Sequence, residues 1–236
     1  MLGADVPQAI RGDRRVRLEI WSDVMCPWCY LGHLRLRTAL SRFAHRDRVL
    51  TVWRSFELRP GQPRLPGRTL AEMMSANYGL EAARVDALFR RIEELGAREG
   101  ADIVMSDLRP VNSFDAHRLV HLAAGQGLAT RTKDRLFRAY FTEHRNIADH
   151  EVLSAVAADV GLDGGATAAV LAGDDFAAEV REDERLASAT GVTAVPTFRI
   201  DGVDGVDGVD GATGTPSADQ LTAALESAWN ERIDVG

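Results

Sequence analysis

Two cysteines that stand three residues apart, where a strand pattern gives way to a helix pattern, constrain this chain more than any other feature. Alternating apolar and β-branched residues predict a strand over 16–21. Pro27 suits the first turn of the helix that follows, because proline has no N–H to lose there. The helix has one apolar stripe, which consists of Cys29, His33, Leu36, Leu40 and Phe43. We therefore expect Cys26 at the helix N-terminus, with Cys29 pointing inward.

The order of the other patterns indicates the fold class. A second strand is predicted over 49–56, so the chain begins with a β-α-β unit whose strands are parallel. Helical spacing continues over about 70–189 without a strand pattern, and strand character returns at 197–200. Pro216 and the capping box Ser217-x-x-Gln220 indicate a last helix. This order predicts an α/β fold interrupted by a large all-helical insertion.

The same patterns give domain boundaries. We expect a flexible arm over 1–14, a discontinuous α/β domain over 15–66 and 190–233, and a helical insertion domain over 67–189. A Val-Asp-Gly repeat over 203–211 indicates the tip of a β-hairpin or a loop, because Asp-Gly favours hairpin turns. The repeat has the spacing of neither an EF-hand loop nor the calcium-binding nonapeptide, so we expect no metal there.

Composition argues against several classes of function. The 236 residues include 28 Lys and Arg against 35 Asp and Glu, the net charge is −7, and Lys133 is the single lysine. A protein that binds phosphate backbones normally has a basic balance or face. No apolar run approaches the roughly 18 to 20 residues of a membrane span, and 1–17 lacks the apolar segment of a secretory signal. We expect a cytoplasmic protein that binds neither nucleic acid nor membranes.

The cysteine pair predicts thiol chemistry. Unpaired backbone N–H groups and the helix dipole favour a thiolate at Cys26, which makes this residue the nucleophile. Cys29, one turn deeper and shielded, is the resolving thiol that attacks the mixed disulfide formed at Cys26. A zinc site would need two further ligands, and the nearest histidine, His33, lies on the buried stripe. We therefore expect a redox pair and no metal site.

Three residues around the pair are candidates for a supporting role. Asp23 precedes Cys26 by three residues, and two roles are open for it: a turn former or cap, or the carboxylate that takes the proton from Cys29. Pro27 and Trp28 lie between the cysteines, and Trp28 supplies an aromatic wall without a titratable group.

A proline before the third strand is the second candidate feature. Pro196 cannot donate to a sheet, so it marks an edge, a turn or a cis bond. A cis bond at this position would leave the backbone of Val195 free to pair with an extended substrate. The cysteine pair and Pro196 together are more specific than either alone, since a cis-proline loop packs beside the active-site sulfurs in thioredoxin folds.

Several segments resemble the FrnE subgroup of DsbA-like thioredoxin-fold oxidoreductases, and they are Asp23-Val24-Met25-Cys26-Pro27-Trp28-Cys29-Tyr30-Leu31-Gly32, Phe56-Glu57-Leu58-Arg59-Pro60, 112–118, 137–141 and 191–198. The resemblance spans about 16–230. It implies a thioredoxin fold with a large all-helical insertion between the second and third strands, and dithiol–disulfide exchange as the activity. The repeat over 203–211 departs from the family pattern.

The motif and the resemblance predict a thiol–disulfide oxidoreductase, with disulfide isomerisation as a related activity. We expect no bound cofactor apart from the redox-active disulfide, with glutathione as a reductant or co-substrate. The partner is a disulfide- or thiol-containing protein or small molecule, and a homodimer stays open. The alternative is a glutathione-dependent isomerase or transferase of the 2-hydroxychromene-2-carboxylate isomerase or kappa type, acting on small aromatic molecules. Those relatives commonly carry serine at the cysteine positions, so the two cysteines here favour redox exchange.

Overall fold

One mixed sheet forms the centre of the molecule. The structure is a computed structural model that describes residues 15–201, 203–206 and 215–231. In these ranges the strands are β1 (Val16–Ser22), β2 (Val49–Ser55), β3 (Thr197–Ile200) and β4 (Val203–Val206), in the sheet order β2-β1-β3-β4. The β1–β2 pair is parallel, as predicted, whereas β1–β3 and β3–β4 are antiparallel.

Helices cover the sheet and fill the interval between its second and third strands. Helix α1 (Pro27–Arg42) joins β1 to β2, and α9 (Ala218–Glu231) follows the sheet. The helices between β2 and β3 are α2 (Leu70–Tyr78), α3 (Ala82–Arg98), α4 (Phe114–Ala124), α5 (Ala129–Phe141), α6 (His150–Val160), α7 (Gly164–Ala172) and α8 (Ala177–Ala189). This arrangement confirms the predicted α/β fold with a helical insertion. None of the helices in the described ranges is long and apolar enough to cross a bilayer.

The core holds β1 and α1 in fixed positions. Val16, Leu18 and Ile20, which share one face of β1, are at most 1% exposed, as expected for a strand face that packs on the core. Helix α1 packs against α9, whose buried face consists of the predicted residues Leu221, Ala224, Leu225 and Ala228. The junction between β1 and α1 therefore rests on a rigid base.

The insertion packs directly on this core. Tyr30 of α1 stacks on Phe137 of α5, with ring centroids 4.9 Å apart. On α8, the Asp183 carboxylate accepts the backbone N–H of Ser55 at 2.8 Å, and the Asp183 carbonyl accepts the indole N–H of Trp21 at 3.2 Å. These contacts join the inserted helices to the ends of β1 and β2.

Two of the sequence predictions concern the N-terminal arm and the Val-Asp-Gly repeat. The arm over 1–14 lies outside the described residues, as does most of the repeat, 207–211. The described part of the repeat is β4, which pairs with β3 as one side of a hairpin. Strand β2 ends at Ser55, one residue before the predicted end.

Candidate active site

A buried carboxylate holds the turn that leads from β1 into α1. Asp23 has 0% exposure, and its two side-chain oxygens accept the backbone N–H groups of Met25 at 3.1 Å and Leu58 at 2.8 Å. The Nε2 atom of His117 lies 3.5 Å from Asp23 Oδ1. Burial raises the pKa of Asp23, but His117 and the two backbone donors outweigh it and bring the pKa below its ordinary value. Asp23 is therefore an anion that fixes the turn.

Cys26 stands where the chain enters α1. It is the N-cap residue, with extended backbone angles, and Pro27 follows in the first turn. The Cys26 side chain is nearly buried, and its thiol donates to the carbonyl oxygen of Val195, with 3.7 Å between Sγ and O. The Val195–Pro196 peptide bond is cis. The structure thus brings together the predicted nucleophile and the predicted proline loop, which lie about 170 positions apart in the sequence.

Glycine is needed where α1 passes this loop. A Cβ atom on Gly32 would lie 2.8 Å from Oγ1 of Thr215, 3.1 Å from the ring of Phe198 and 3.2 Å from Cγ of Pro196. These distances are shorter than side chains normally allow, so the helix approaches the loop this closely because residue 32 has no side chain. Gly32 therefore helps to set the spacing between the cysteine helix and Pro196.

Cys29 lies behind Cys26 and is out of contact with solvent. Both cysteines are free thiols, and Cys29 is 1% exposed. Burial raises the pKa of Cys29 well above its ordinary value, and a hydrogen bond to Cys26 raises it further. The Ser22 hydroxyl and the positive charge of Lys133 act in the opposite direction. Cys29 is thus a protonated thiol at neutral pH, and forming its thiolate requires a proton acceptor.

A buried lysine completes the environment of Cys29. Lys133 of α5 is 1% exposed, and its Nζ atom donates to the carbonyl oxygen of Ser22 at 3.1 Å. The same atom lies 5.6 Å from the ring centres of both Trp53 and Phe137. Burial lowers the pKa of Lys133 to about 8, although the nearby sulfur atoms and carboxylates attract its charge.

Two histidines of α4 connect the site to the buried carboxylates. His117 faces Asp23, and burial lowers the pKa of His117, so the imidazole is neutral at pH 7. His121 lies 3.1 Å from Asp183. Each histidine therefore has its own carboxylate, and the described part of the chain contains no group of three His, Cys, Asp or Glu residues that could hold a metal ion.

An ion pair lies at the edge of the site. The side chain of Glu57 is 1% exposed, and its Oε2 atom accepts from Arg181 at 2.7 Å. Burial raises the pKa of Glu57, and Asp23 adds to this effect, although Arg181 opposes it. The Arg181 guanidinium lies 4.4 Å from the ring centre of Phe114. This pair ties the chain after β2 to α8.

The structure gathers most of the sequence-predicted site and adds residues that the sequence patterns did not mark. Cys26, Cys29, Val195 and Pro196 meet at the N-terminus of α1, Asp23 holds the preceding turn, and Trp28 is half-buried beside them. The added residues are Ser22, Gly32, His117 and Lys133. Gly32 and His117 lie in segments that resemble the family, and Lys133 is the single lysine among arginines, but no sequence pattern assigned any of these residues to the site.

Comparisons with known proteins agree with this arrangement. The sequence profile described as DSBA-like thioredoxin domain matches residues 17–226. A probable DsbA oxidoreductase from Streptomyces coelicolor has a crystal structure that is 39% identical, with a TM-score of 0.84, and the match covers 92% of this chain and 91% of that one.

Two further solved structures share the fold. The cytosolic disulfide reductase DsbM from Pseudomonas aeruginosa is 20% identical with a TM-score of 0.61, over 93% of this chain and all of that one. A 2-hydroxychromene-2-carboxylate isomerase is 18% identical with a TM-score of 0.62, over 93% of this chain and 99% of that one. At these identities the likeness concerns the fold.

Proposed function

The chain belongs to the DSBA-like thioredoxin domain family, and from this premise we propose that it is a thiol–disulfide oxidoreductase that uses Cys26 and Cys29. The observation that carries the proposal is the position of the Cys26 sulfur, 3.7 Å from the carbonyl of Val195 at the cis Val195–Pro196 bond, with Cys29 buried behind it. The Cys26 sulfur thus lies at the backbone with which an extended substrate would pair, and the Cys29 sulfur is shielded behind it.

The proposed reaction proceeds through two exchanges. The Cys26 thiolate attacks one sulfur of a substrate disulfide, a mixed disulfide forms, and the first substrate thiolate leaves. The Cys29 thiolate then attacks the Cys26 sulfur, the Cys26–Cys29 bond forms, and the second substrate thiolate leaves. The substrate gains two electrons and the protein is oxidised to its disulfide. A small thiol such as glutathione returns the protein to the dithiol by the reverse exchanges.

The supporting residues have distinct parts in this proposal. Asp23 fixes the turn before Cys26, and Pro27 begins α1, so Cys26 lies at the helix end where the first backbone N–H groups have no partner within the helix. Trp28 forms an apolar wall at the mouth of the site, and Val195 offers its backbone to an extended substrate.

We propose a reducing, cytoplasmic setting in which the pair rests as the dithiol and the substrate is reduced or isomerised. The neighbour from Pseudomonas aeruginosa carries the name cytosolic disulfide reductase. Substrates would be thiol- or disulfide-containing proteins or small molecules. Trapping thiols by rapid alkylation in cells and counting modified cysteines would test this: mostly reduced Cys26 and Cys29 are expected, and a fully oxidised pair would contradict it.

The experiment for the activity itself compares insulin reduction with glutathione-dependent isomerisation of a chromene carboxylate. We expect the wild-type protein to catalyse insulin reduction, Cys26→Ala to abolish it, and Cys29→Ala to accumulate a mixed disulfide at Cys26. An isomerase or transferase of the 2-hydroxychromene-2-carboxylate type would instead turn over the aromatic substrate. It would tolerate Cys29→Ala and form no mixed disulfide.

A further inference from the structure

The chain's single lysine is buried, and its positive charge favours the thiolate form of the proposed resolving thiol, Cys29. Every other cation of the Lys and Arg set is arginine, and the one lysine is 1% exposed. Arginine keeps its proton in proteins, whereas a buried lysine can lose its proton near neutral pH. Lys133 is therefore the one residue among the lysines and arginines that can become neutral and act as a base.

Ser22 contacts the lysine through its backbone and acts on the thiol through its side chain. Its carbonyl oxygen accepts from Lys133 Nζ at 3.1 Å. Its side chain is 0% exposed, its hydroxyl has no hydrogen-bond partner among the described residues, and the same hydroxyl lowers the pKa of Cys29 by stabilising the thiolate form. The amine is thus held at the last residue of β1, which pairs with β2, and the hydroxyl of the same residue favours the thiolate of Cys29.

The charges around Lys133 change when the sulfurs are oxidised. The groups that act electrostatically with it come from the β1–α1 turn, α1, α8 and α4, and they are Asp23, Cys26, Cys29, Asp183 and His117. Burial lowers the pKa of Lys133 to about 8, and the two sulfur atoms are among the groups that hold its proton. A sulfur in a disulfide carries no charge, so mixed-disulfide formation at Cys26 favours the neutral amine.

We propose that Lys133 is the proton acceptor for Cys29 in the resolving step, an inference that rests on the proposed dithiol–disulfide exchange. In the mixed disulfide the neutral amine takes the proton of the Cys29 thiol. The resulting thiolate attacks the Cys26 sulfur, the Cys26–Cys29 bond forms, and the bond between Cys26 and the substrate sulfur breaks. The substrate leaves as a thiolate with the electron pair, and the Lys133 ammonium then releases its proton to water.

The test separates the two exchanges in one trace. Reduced protein is mixed with excess dithiobis(nitrobenzoate), whose coloured thiolate is released once when Cys26 forms the mixed disulfide and again when Cys29 resolves it. The first phase reports the proposed nucleophile and the second reports the resolving step. Lys133→Met and Lys133→Arg are compared with Arg131→Met, which removes an exposed charge from the same helix.

We expect Lys133→Met to keep the first phase and to slow the second about tenfold or more at pH 8. Lys133→Arg is expected to be slow as well, because arginine does not give up its proton, and Arg131→Met is expected to match the wild type. A second phase within twofold of the wild type in Lys133→Met, or full rescue by Lys133→Arg, would overturn the proposal.

The wild-type protein supplies a second measurement if the variants do not fold. The rate of its second phase should rise through about pH 8, the pKa of the lysine, and level off above it as the lysine becomes fully neutral. A rate that continues to climb toward the much higher pKa of the Cys29 thiol itself would contradict a role for Lys133. Absence of either phase in the wild type would instead overturn the proposed exchange, so the two failures are distinguishable.

Discussion

At the scale of single residues, the site depends on two buried charges of opposite sign. Asp23 uses both carboxylate oxygens to hold backbone N–H groups, and Lys133 holds the carbonyl of Ser22. The carboxylate thereby orients the turn that carries Cys26, while the charge of the Lys133 amine favours the thiolate of Cys29. Proton transfer from Cys29 to Asp23 is the other role that the sequence left open for this residue, and it is the alternative to the proposed transfer to Lys133.

Asp23→Asn tests the role of the carboxylate. An amide has one acceptor oxygen, so one of the two backbone N–H groups would face an NH₂ group inside the core. We expect the free energy of unfolding to fall by about 1 to 3 kcal/mol, measured by urea denaturation at pH 7. Asp47→Asn, at a side chain that is 94% exposed, is the control. Equal stability of the two variants would exclude the holding role, and a slowed resolving phase in Asp23→Asn would support proton transfer to Asp23.

Lys133 makes a second prediction through the dependence of stability on pH. Its pKa is lowered from 10.5 to about 8 in the folded state, so the unfolded chain binds more protons between these values. The unfolding free energy contributed by this residue therefore rises with pH in that window. Relative to Lys133→Met, the wild type should gain about 1 kcal/mol between pH 7 and pH 9. Urea denaturation at both pH values measures this, and a difference independent of pH would contradict it.

At the scale of elements, α1 must lie close to the cis-proline loop. Gly32→Ala would place a Cβ atom within contact distance of Thr215 and Pro196, and one of these elements must move. We expect a loss of about 1 to 3 kcal/mol in stability and slower reaction of Cys26 with a disulfide. Gly61→Ala, where the added atom meets nothing within 4 Å, is the control and should change stability by no more than about 0.5 kcal/mol. Wild-type behaviour in Gly32→Ala would show that the spacing is not critical.

Helices and strands were predictable where their pattern is contained in a short stretch of consecutive residues. The strand over 16–21, the helix from Pro27 and the buried face of α9 follow from alternation, proline placement and helical spacing. The contact between Lys133 and Ser22 joins residues 111 positions apart. Such a contact leaves no periodic pattern in the sequence from which it could be predicted. For the same reason the local sequence could not reveal that His117 and His121 each face a different buried carboxylate.

At the scale of the whole molecule, one carboxylate connects the insertion to the sheet. Asp183 on α8 accepts from Ser55 and Arg54 of β2 and lies 3.1 Å from His121 of α4. Burial raises the pKa of Asp183, but these partners outweigh it and lower the pKa, so the group is charged at neutral pH. We therefore propose that the predicted ranges 15–66, 67–189 and 190–233 do not fold as separate units, although they are distinct in the sequence.

Asp183→Asn tests whether sheet and insertion unfold together. The variant removes the charge that pairs with Arg54 in a nearly buried position, and we expect a loss of about 3 kcal/mol. A single unfolding transition by both fluorescence and circular dichroism is expected in the wild type and the variant. Asp174→Asn, at an exposed position just before α8, is the control. Two separate transitions in the wild type would contradict a common folding unit.

The resemblance to DsbA-like proteins identified the family correctly. The proposed dithiol–disulfide exchange depends on one reversible bond, the disulfide between Cys26 and Cys29. Mass spectrometry of the intact protein, equilibrated with glutathione buffers of graded potential and quenched in acid, measures that bond directly. We expect one transition from the dithiol to a form lighter by two hydrogens, with Cys26 joined to Cys29 and no glutathione retained. A protein that stays a dithiol in fully oxidised buffer, or that ends with glutathione on either cysteine, would contradict dithiol–disulfide exchange.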